Sequence, residues 1–198
     1  MNRKQQIAIA IPPILTVTML GVFHLTERLL GPELGWYAGF WVYWPVWCLL
    51  FPWWMLGWPG LRRLFNHSSL DRWGWLLFLL PPAIALFGRF FIDGRDAIGW
   101  EWVALIAMSF TNGSLEEVLW RGVYVELFPK NRLWGLAWPT VWFALWHLAP
   151  GLVSEMNPWL LAIGALVFGT CMGLLAFRTG SIRYSVVSHT LAALANVL

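Results

Sequence analysis

The stretch Ser114–Leu–Glu–Glu–Val–Leu–Trp–Arg121 places two adjacent carboxylates and a guanidinium inside a long apolar segment. Ionisable side chains inside a membrane span cost a few kcal/mol or more, so they are rare there and usually functional. At about 100° per residue, Glu117 and Arg121 lie roughly 40° apart on a helix, and Glu116 points about 140° away from Arg121. We therefore expect Arg121 to pair with Glu117 and Glu116 to face a cavity. The alternative is a buried ion-pair cluster that only fixes helix packing.

The composition around this stretch is that of a membrane protein with several spans. Of the 198 residues, 59% are hydrophobic and 12% are charged, whereas a soluble domain carries about 25% charged residues. The net charge of +3 is explained by basic cytoplasmic loops, and we expect no nucleic-acid partner. Cys48 and Cys171 lie in apolar spans without metal-ligand spacing, so we expect free, packed thiols.

The apolar segments predict an all-α fold, a polytopic transmembrane bundle that forms a single membrane-embedded domain over residues 1–198. About 20 apolar residues are enough to cross the hydrocarbon core, and about seven segments approach or exceed that length. Polar loops separate them, including one predicted at 26–35. The predicted spans are 7–23, 36–58, 73–91, 100–128, 133–148, 158–177 and 184–198.

The basic residues orient this bundle. The N-terminus and the loops 59–72, 129–132 and 178–183 together contain nine Lys or Arg residues. Because basic residues collect on the cytoplasmic side of a membrane, the N-terminus is predicted to be cytoplasmic and the C-terminus to lie outside.

The fourth segment, 100–128, is too long for one straight span. It would extend roughly 43 Å if wholly helical, which exceeds the thickness of the hydrocarbon core. Residues 111–114 combine Thr, Asn, Gly and Ser, so they form a weak point just before the glutamates. We expect the segment to tilt, break or emerge.

Two histidines lie in later spans, and a lone histidine on an apolar helix is often only a packing residue. Phe143 is one turn before His147 on the same face. Counting helical rise places Glu116 and His147 about 18–21 Å from the same cytoplasmic boundary, but His189 only about 8 Å from it. Either the loop 178–183 enters the membrane or a boundary is wrong by a turn. Together with the glutamates and the arginine, the histidines favour a functional site.

These residue types suit hydrolysis without a Ser or Cys nucleophile. A water held between Glu116 and His147 would attack, with Glu116 as the general base. His189 would donate a hydrogen bond to the developing oxyanion. Ser114 lies about 160° from Glu116 around the helix, which argues against a Ser–Glu pairing.

The ordered motifs resemble those of the CPBP intramembrane proteases, also called the CAAX protease and bacteriocin-processing family or Abi family. The matching residues are Glu116–Glu117–x–x–x–Arg121, Phe143–x–x–x–His147, and a late His after Phe177–Arg–Thr–Gly–Ser–Ile182. The resemblance implies an intramembrane endopeptidase, a peptide hydrolase with accessory N-terminal spans in 1–99 and catalytic core spans in 100–198.

The resemblance also implies a role for each residue. Glu116 would activate water with help from His147, while Glu117 and Arg121 would hold the site in shape. His189 would form the oxyanion site. Phe143, Asn112 and Asn196 are weaker candidates for lining the site.

The sequence departs from the family pattern after the last histidine. The family usually has Asn one turn after that residue, where this chain has Ala193. The nearest Asn, Asn196, shares the same face but lies roughly 10 Å further along the helix. Ala193 therefore favours a second function, a non-catalytic membrane partner or bacteriocin-immunity factor of the same fold.

The expected substrate is a membrane-bound protein or peptide in the lipid bilayer of a bacterial or archaeal cytoplasmic membrane. Prenylated C-termini, peptide precursors and C-terminal sorting tails are the substrates that the resemblance implies. We favour a metal-free site because no His-Glu-x-x-His motif is present; zinc bound by Glu116, His147 and His189 is the alternative. A proton-coupled carrier using Glu116 and Glu117 is a third reading, against which the short chain without repeated halves counts.

Overall fold

The computed structural model describes residues 1–91, 100–154 and 156–195, which contain helices and no strand. They form seven helical segments, so the predicted all-α class is confirmed. Three of the segments change between α-helical and π-helical turns along their length. The segments are α1 (Arg3–Leu30), α2 (Pro32–Tyr43, Trp44–Leu50 and Phe51–Arg63), α3 (Arg72–Phe91), α4 (Trp100–Thr111, Asn112–Glu116, Val118–Gly122 and Val123–Leu127), α5 (Leu133–Ala137, Trp138–Trp146 and Leu148–Gly151), α6 (Pro158–Thr179) and α7 (Arg183–Ala195).

The outer surface is strongly apolar. Large apolar side chains on six of the described helices are more than half exposed, among them Val17, Trp41, Phe87, Val103, Leu133 and Leu160. Apolar patches of this extent are unusual on monomeric soluble proteins, and they suit contact with lipid chains. Of the described helices, α1 and α6 are each long and apolar enough to cross a membrane. The arrangement of seven spans stays a prediction.

The loop predicted at 26–35 is wrong. Helix α1 continues to Leu30, and Gly31 alone, with φ 84°, connects it to the proline that begins α2. Positive φ is a conformation that glycine adopts without steric cost. Thr26 stays helical because its hydroxyl donates to the carbonyl of Val22 within the same helix at 3.0 Å. The two helices pack so closely that a Cβ on Gly35 would lie 2.5 Å from Glu27 Cα.

The loop predicted at 59–72 is shorter than expected because α2 continues to Arg63. A kink interrupts this helix at Gly57, where φ is 63° and ψ is 175°. The Leu64 carbonyl that follows accepts from the Ile182 backbone N–H at 2.8 Å and from the Ser181 hydroxyl at 3.0 Å. Ser181 and Ile182 are buried, so the connection between α6 and α7 is folded into the protein. Whether this connection also enters the membrane, as one explanation of the depth mismatch of His189 requires, stays a prediction.

Helix α4 lies at the centre of the bundle. It packs against α2, α5, α6 and α7, and its side chains Trp120, Val123 and Tyr124 are almost completely buried. The predicted weak point at 111–114 is where the helix passes from α-helical to π-helical turns at Asn112. Such π-helical turns are rare and are found frequently at functional sites. The glutamates therefore lie on a stretch with non-standard helical phase.

Candidate active site

The predicted ion pair between Glu117 and Arg121 is confirmed. Glu117 Oε1 lies 3.1 Å from Arg121 Nη1, and both side chains are buried. Arg121 Nη2 also donates to the Gly169 carbonyl at 3.3 Å. The guanidinium carbon lies 4.1 Å from the ring centre of Phe143, close enough for a cation–π interaction. The buried guanidinium of Arg121 on α4 thus also contacts groups on α5 and α6.

His189 on α7 reaches both glutamates. Its Nδ1 lies 2.9 Å from Glu117 Oε1, and its Nε2 lies 3.9 Å from Glu116 Oε2. Because an ionised carboxylate can only accept, the Nδ1 atom carries a proton in this contact. The approach depends on Gly113, since a Cβ there would overlap Thr190, the neighbour of His189. The structure therefore brings Glu116, Glu117 and His189 together.

His147 is held in a single tautomer. Its Nδ1 lies 2.7 Å from the Phe143 carbonyl, which can only accept, so Nδ1 donates and Nε2 keeps a lone pair. The Phe143 ring packs edge-on to the imidazole, with ring centres 4.5 Å apart. The Phe143 ring thus contacts both His147 and the Arg121 guanidinium. His147 is near enough to Arg121 and His189 for electrostatic interaction.

The buried Glu116 carboxylate, 3% exposed, has a partner that the sequence did not suggest. The Tyr43 hydroxyl of α2 lies near enough to interact with it. The Tyr43 hydroxyl also accepts from Trp120 Nε1 at 2.7 Å. In the sequence, Tyr43 is only one of two phenols in the uncharged second span, 36–58.

The remaining predicted residues lie outside this cluster. Asn112 Oδ1 accepts from Trp44 Nε1 at 2.7 Å, so its amide oxygen is engaged by α2. Asn196 lies outside the described residues. Ala193 is one turn after His189 on α7 and brings no polar side chain to the site. Sequence reasoning also missed Ser185, a buried residue one turn before His189 that lies near Glu117 and whose hydroxyl donates to the Ile182 carbonyl at 3.0 Å.

The zinc alternative needs three ligands to meet. Within residues 1–91, 100–154 and 156–195, no group of three or more His, Cys, Asp or Glu side chains is arranged to hold a metal ion. Glu117 engages His189 Nδ1 and the Phe143 carbonyl engages His147 Nδ1, which leaves Nε2 of each histidine as the nitrogen that could bind a metal. The zinc alternative of Glu116, His147 and His189 stays a prediction, as does the metal-free site.

Comparison with known proteins places this site within one family segment. Residues 98–195 match the family model described as Type II CAAX prenyl endopeptidase Rce1-like. No curated protein and no solved structure matches the chain. The matched segment contains α4 to α7, and with them Glu116, Glu117, Arg121, His147 and His189. Tyr43 lies in the half of the chain that the family model does not cover.

Proposed function

The chain belongs to the CPBP family of membrane-embedded CAAX proteases through its Rce1-like segment 98–195, and from this premise we propose that it is an intramembrane endopeptidase in which Glu116 activates water. The observation that carries the proposal is the unequal environment of the two glutamates. Arg121 and His189 hold Glu117 at 3.1 and 2.9 Å. The nearest basic atom to Glu116 among the described residues is His189 Nε2 at 3.9 Å.

This difference assigns separate tasks to the two carboxylates. Glu117 is an acceptor with its charge neutralised, so it fixes the positions of Arg121 and His189. Glu116 is buried and has no basic atom closer than 3.9 Å among the described residues, so its carboxylate is available to accept a proton from a substrate water. Burial keeps bulk water away and strengthens every electrostatic interaction in the site.

The reaction follows from these positions. Glu116 takes a proton from the water while the water oxygen bonds to the scissile carbonyl carbon. His147 Nε2, with its free lone pair, accepts a hydrogen bond from the same water. When the carbon–nitrogen bond breaks, protonated Glu116 returns the proton to the leaving amine.

His189 supplies the oxyanion donor when both of its nitrogens are protonated. Nδ1–H is engaged by Glu117, so Nε2–H is the atom that faces the reaction centre. In that form, Arg121 and His189 together balance the charges of Glu116 and Glu117. A donor aimed at the developing oxyanion stabilises the transition state more than the ground state.

The substrate is a membrane-bound protein or peptide. A prenylated C-terminus is the first candidate, because the matched family is described as a CAAX prenyl endopeptidase. Peptide precursors and C-terminal sorting tails are the alternatives. We place the protein in the cytoplasmic membrane of a bacterium or archaeon.

The test is cleavage of a farnesylated CAAX peptide by protein reconstituted in lipid, with products identified by mass spectrometry. Wild type should release the C-terminal tripeptide, and Glu116→Gln should not. The matched control is Glu126→Gln, which alters a glutamate of the same helix whose partner is the half-exposed Arg63 at 2.6 Å. Equal rates for wild type and Glu116→Gln would refute the glutamate mechanism.

A second candidate function, a non-catalytic membrane partner or immunity factor, rests on Ala193. The position one turn after His189 lacks the amide donor that the family usually has there, and removing one oxyanion donor typically costs about 10²–10³ in rate. Ala193→Asn should then raise cleavage. A physiological precursor that neither wild type nor Ala193→Asn cleaves, although it binds both, would favour the partner role.

A further inference from the structure

Tyr43 is a fully buried hydroxyl at the junction of α2 and the site. It comes from outside segment 98–195, and its side chain is 0% exposed. The π-helical stretch of α2 that follows it packs directly against the stretch of α4 that carries Glu116. Its ring stacks on Trp146, with ring centres 4.0 Å apart and planes at 21°. Trp146 precedes His147 in the chain, so Tyr43 touches the elements that carry two site residues.

The hydroxyl of Tyr43 is oriented by a donor. Trp120 Nε1 lies 2.7 Å from the hydroxyl oxygen, and an indole N–H can only donate. This contact occupies one lone pair of the oxygen and leaves the O–H hydrogen free to donate elsewhere. Trp120 lies four residues after Glu116 on α4, so it draws the hydroxyl towards the Glu116 side of that helix.

Two acceptors are available to that hydrogen. The side chains of Cys48 and Glu116 both interact with the Tyr43 hydroxyl. A thiol sulfur is a weak acceptor, whereas a hydrogen bond to an ionised carboxylate is roughly twice as strong as a neutral one. The hydrogen therefore goes to Glu116 whenever that carboxylate is charged.

We propose that Tyr43 is a positioning residue for Glu116, donating to one carboxylate oxygen so that the other is turned towards the substrate water. The inference rests on the proposed function of Glu116. The other charged groups near Glu116 are Glu117 and Arg121 on its own helix and His189 on α7. None of these donates a hydrogen bond to Glu116, since His189 Nε2 is 3.9 Å away. Tyr43 is thus the donor that defines how the carboxylate is rotated.

The first experiment measures cleavage kinetics of Tyr43→Phe in the lipid assay. The variant keeps the ring that stacks on Trp146 and removes only the hydroxyl. We expect kcat to fall about 10- to 100-fold with KM unchanged, because a misoriented base affects the chemical step. Trp120→Phe, which removes the orienting donor, should cause a smaller loss. The control is Tyr124→Phe, another fully buried tyrosine, whose hydroxyl donates to the Ala8 carbonyl at 2.8 Å.

The second experiment needs no substrate. Thermal unfolding of Tyr43→Phe, Glu116→Gln and the double variant should be non-additive by at least about 2 °C, because contacting residues couple in stability. Additive shifts together with a wild-type kcat for Tyr43→Phe would overturn the positioning role, as would an equal kcat loss in Tyr124→Phe. If the wild type cleaves no substrate, the proposed function fails and the positioning role with it; coupling would then support only the Tyr43–Glu116 contact.

Discussion

Replacing Arg121 with Met should destabilise the protein by about 3–5 kcal/mol, because it leaves the buried Glu117 carboxylate without its cationic partner. Met retains most of the volume of the arginine stem, so the loss reports charge rather than a cavity. Arg121 holds Glu117 at 3.1 Å and the Gly169 carbonyl at 3.3 Å. The substitution removes both contacts and leaves His189 Nδ1, at 2.9 Å, as the remaining donor in reach of Glu117 Oε1.

The measurement is the midpoint of thermal unfolding in detergent. About 1 kcal/mol shifts Tm by roughly 2–4 °C in a chain of this size, so the loss should be about 6–20 °C. The matched control is Arg63→Met. This change breaks the 2.6 Å ion pair with Glu126, in which the arginine side chain is 55% exposed. Exposed pairs are worth about 0–1 kcal/mol, so its Tm should fall by no more than about 4 °C.

A double variant separates the charge from the loss of packing. Glu117→Gln with Arg121→Met removes both charges and keeps an acceptor for His189 Nδ1–H. It should recover most of the stability lost by Arg121→Met, since an uncharged pair of similar volume carries no uncompensated charge. The reasoning would be refuted if Arg121→Met and Arg63→Met lowered Tm equally, or if the double variant were no more stable than Arg121→Met alone.

Three further outcomes are expected. Glu116→Gln and His147→Ala should each lower the cleavage rate about 10²–10⁴-fold, and the double variant should lose little more because the two act as a unit; multiplied losses would show independent roles. Exhaustive chelation should leave the rate unchanged, and a loss restored by zinc would contradict this. The Gly74 N–H, and next the Arg178 guanidinium, lower the pKa of Asp71 below its ordinary value of 3.8. The stability that the ionised Asp71 carboxylate gives to the fold is therefore present above pH 3.8 and is lost as the pH falls through the lowered pKa. Tm of wild type should exceed that of Asp71→Asn at pH 7, and the gap should narrow as the pH falls below 3.8. A gap that stays constant there would exclude the ionised carboxylate as its cause.

The local part of the site could be predicted from the sequence. Glu117 and Arg121 are four residues apart in an apolar segment, and a charge buried there requires a partner within reach on the same helix. The all-α class followed for a similar reason, since long apolar segments with few charges satisfy their backbone groups internally as helices. Both inferences depend on neighbours in the chain, which a sequence displays directly.

The long-range part could not be predicted. The helical count assumed one uniform phase, whereas π-helical turns at Asn112–Glu116 and Val118–Gly122 alter the direction of each following side chain. The contact of Glu116 with Tyr43 joins residues more than 70 positions apart. Burial of Ser181 depends on the Leu64 carbonyl, a distant acceptor that polarity patterns do not reveal. These features arise from packing between helices, for which hydropathy carries no information.

The single-residue connection at Gly31 has a consequence for how a substrate enters the bundle. One residue connects Leu30 to Pro32, and Gly35 packs against the Glu27 backbone. Helices α1 and α2 therefore cannot separate at this end without disrupting their packing. A lateral gate between these two helices would require breaking the hairpin itself. Under the proposed function, a lipid-borne peptide should therefore reach Glu116 through a seam of the bundle other than that between α1 and α2.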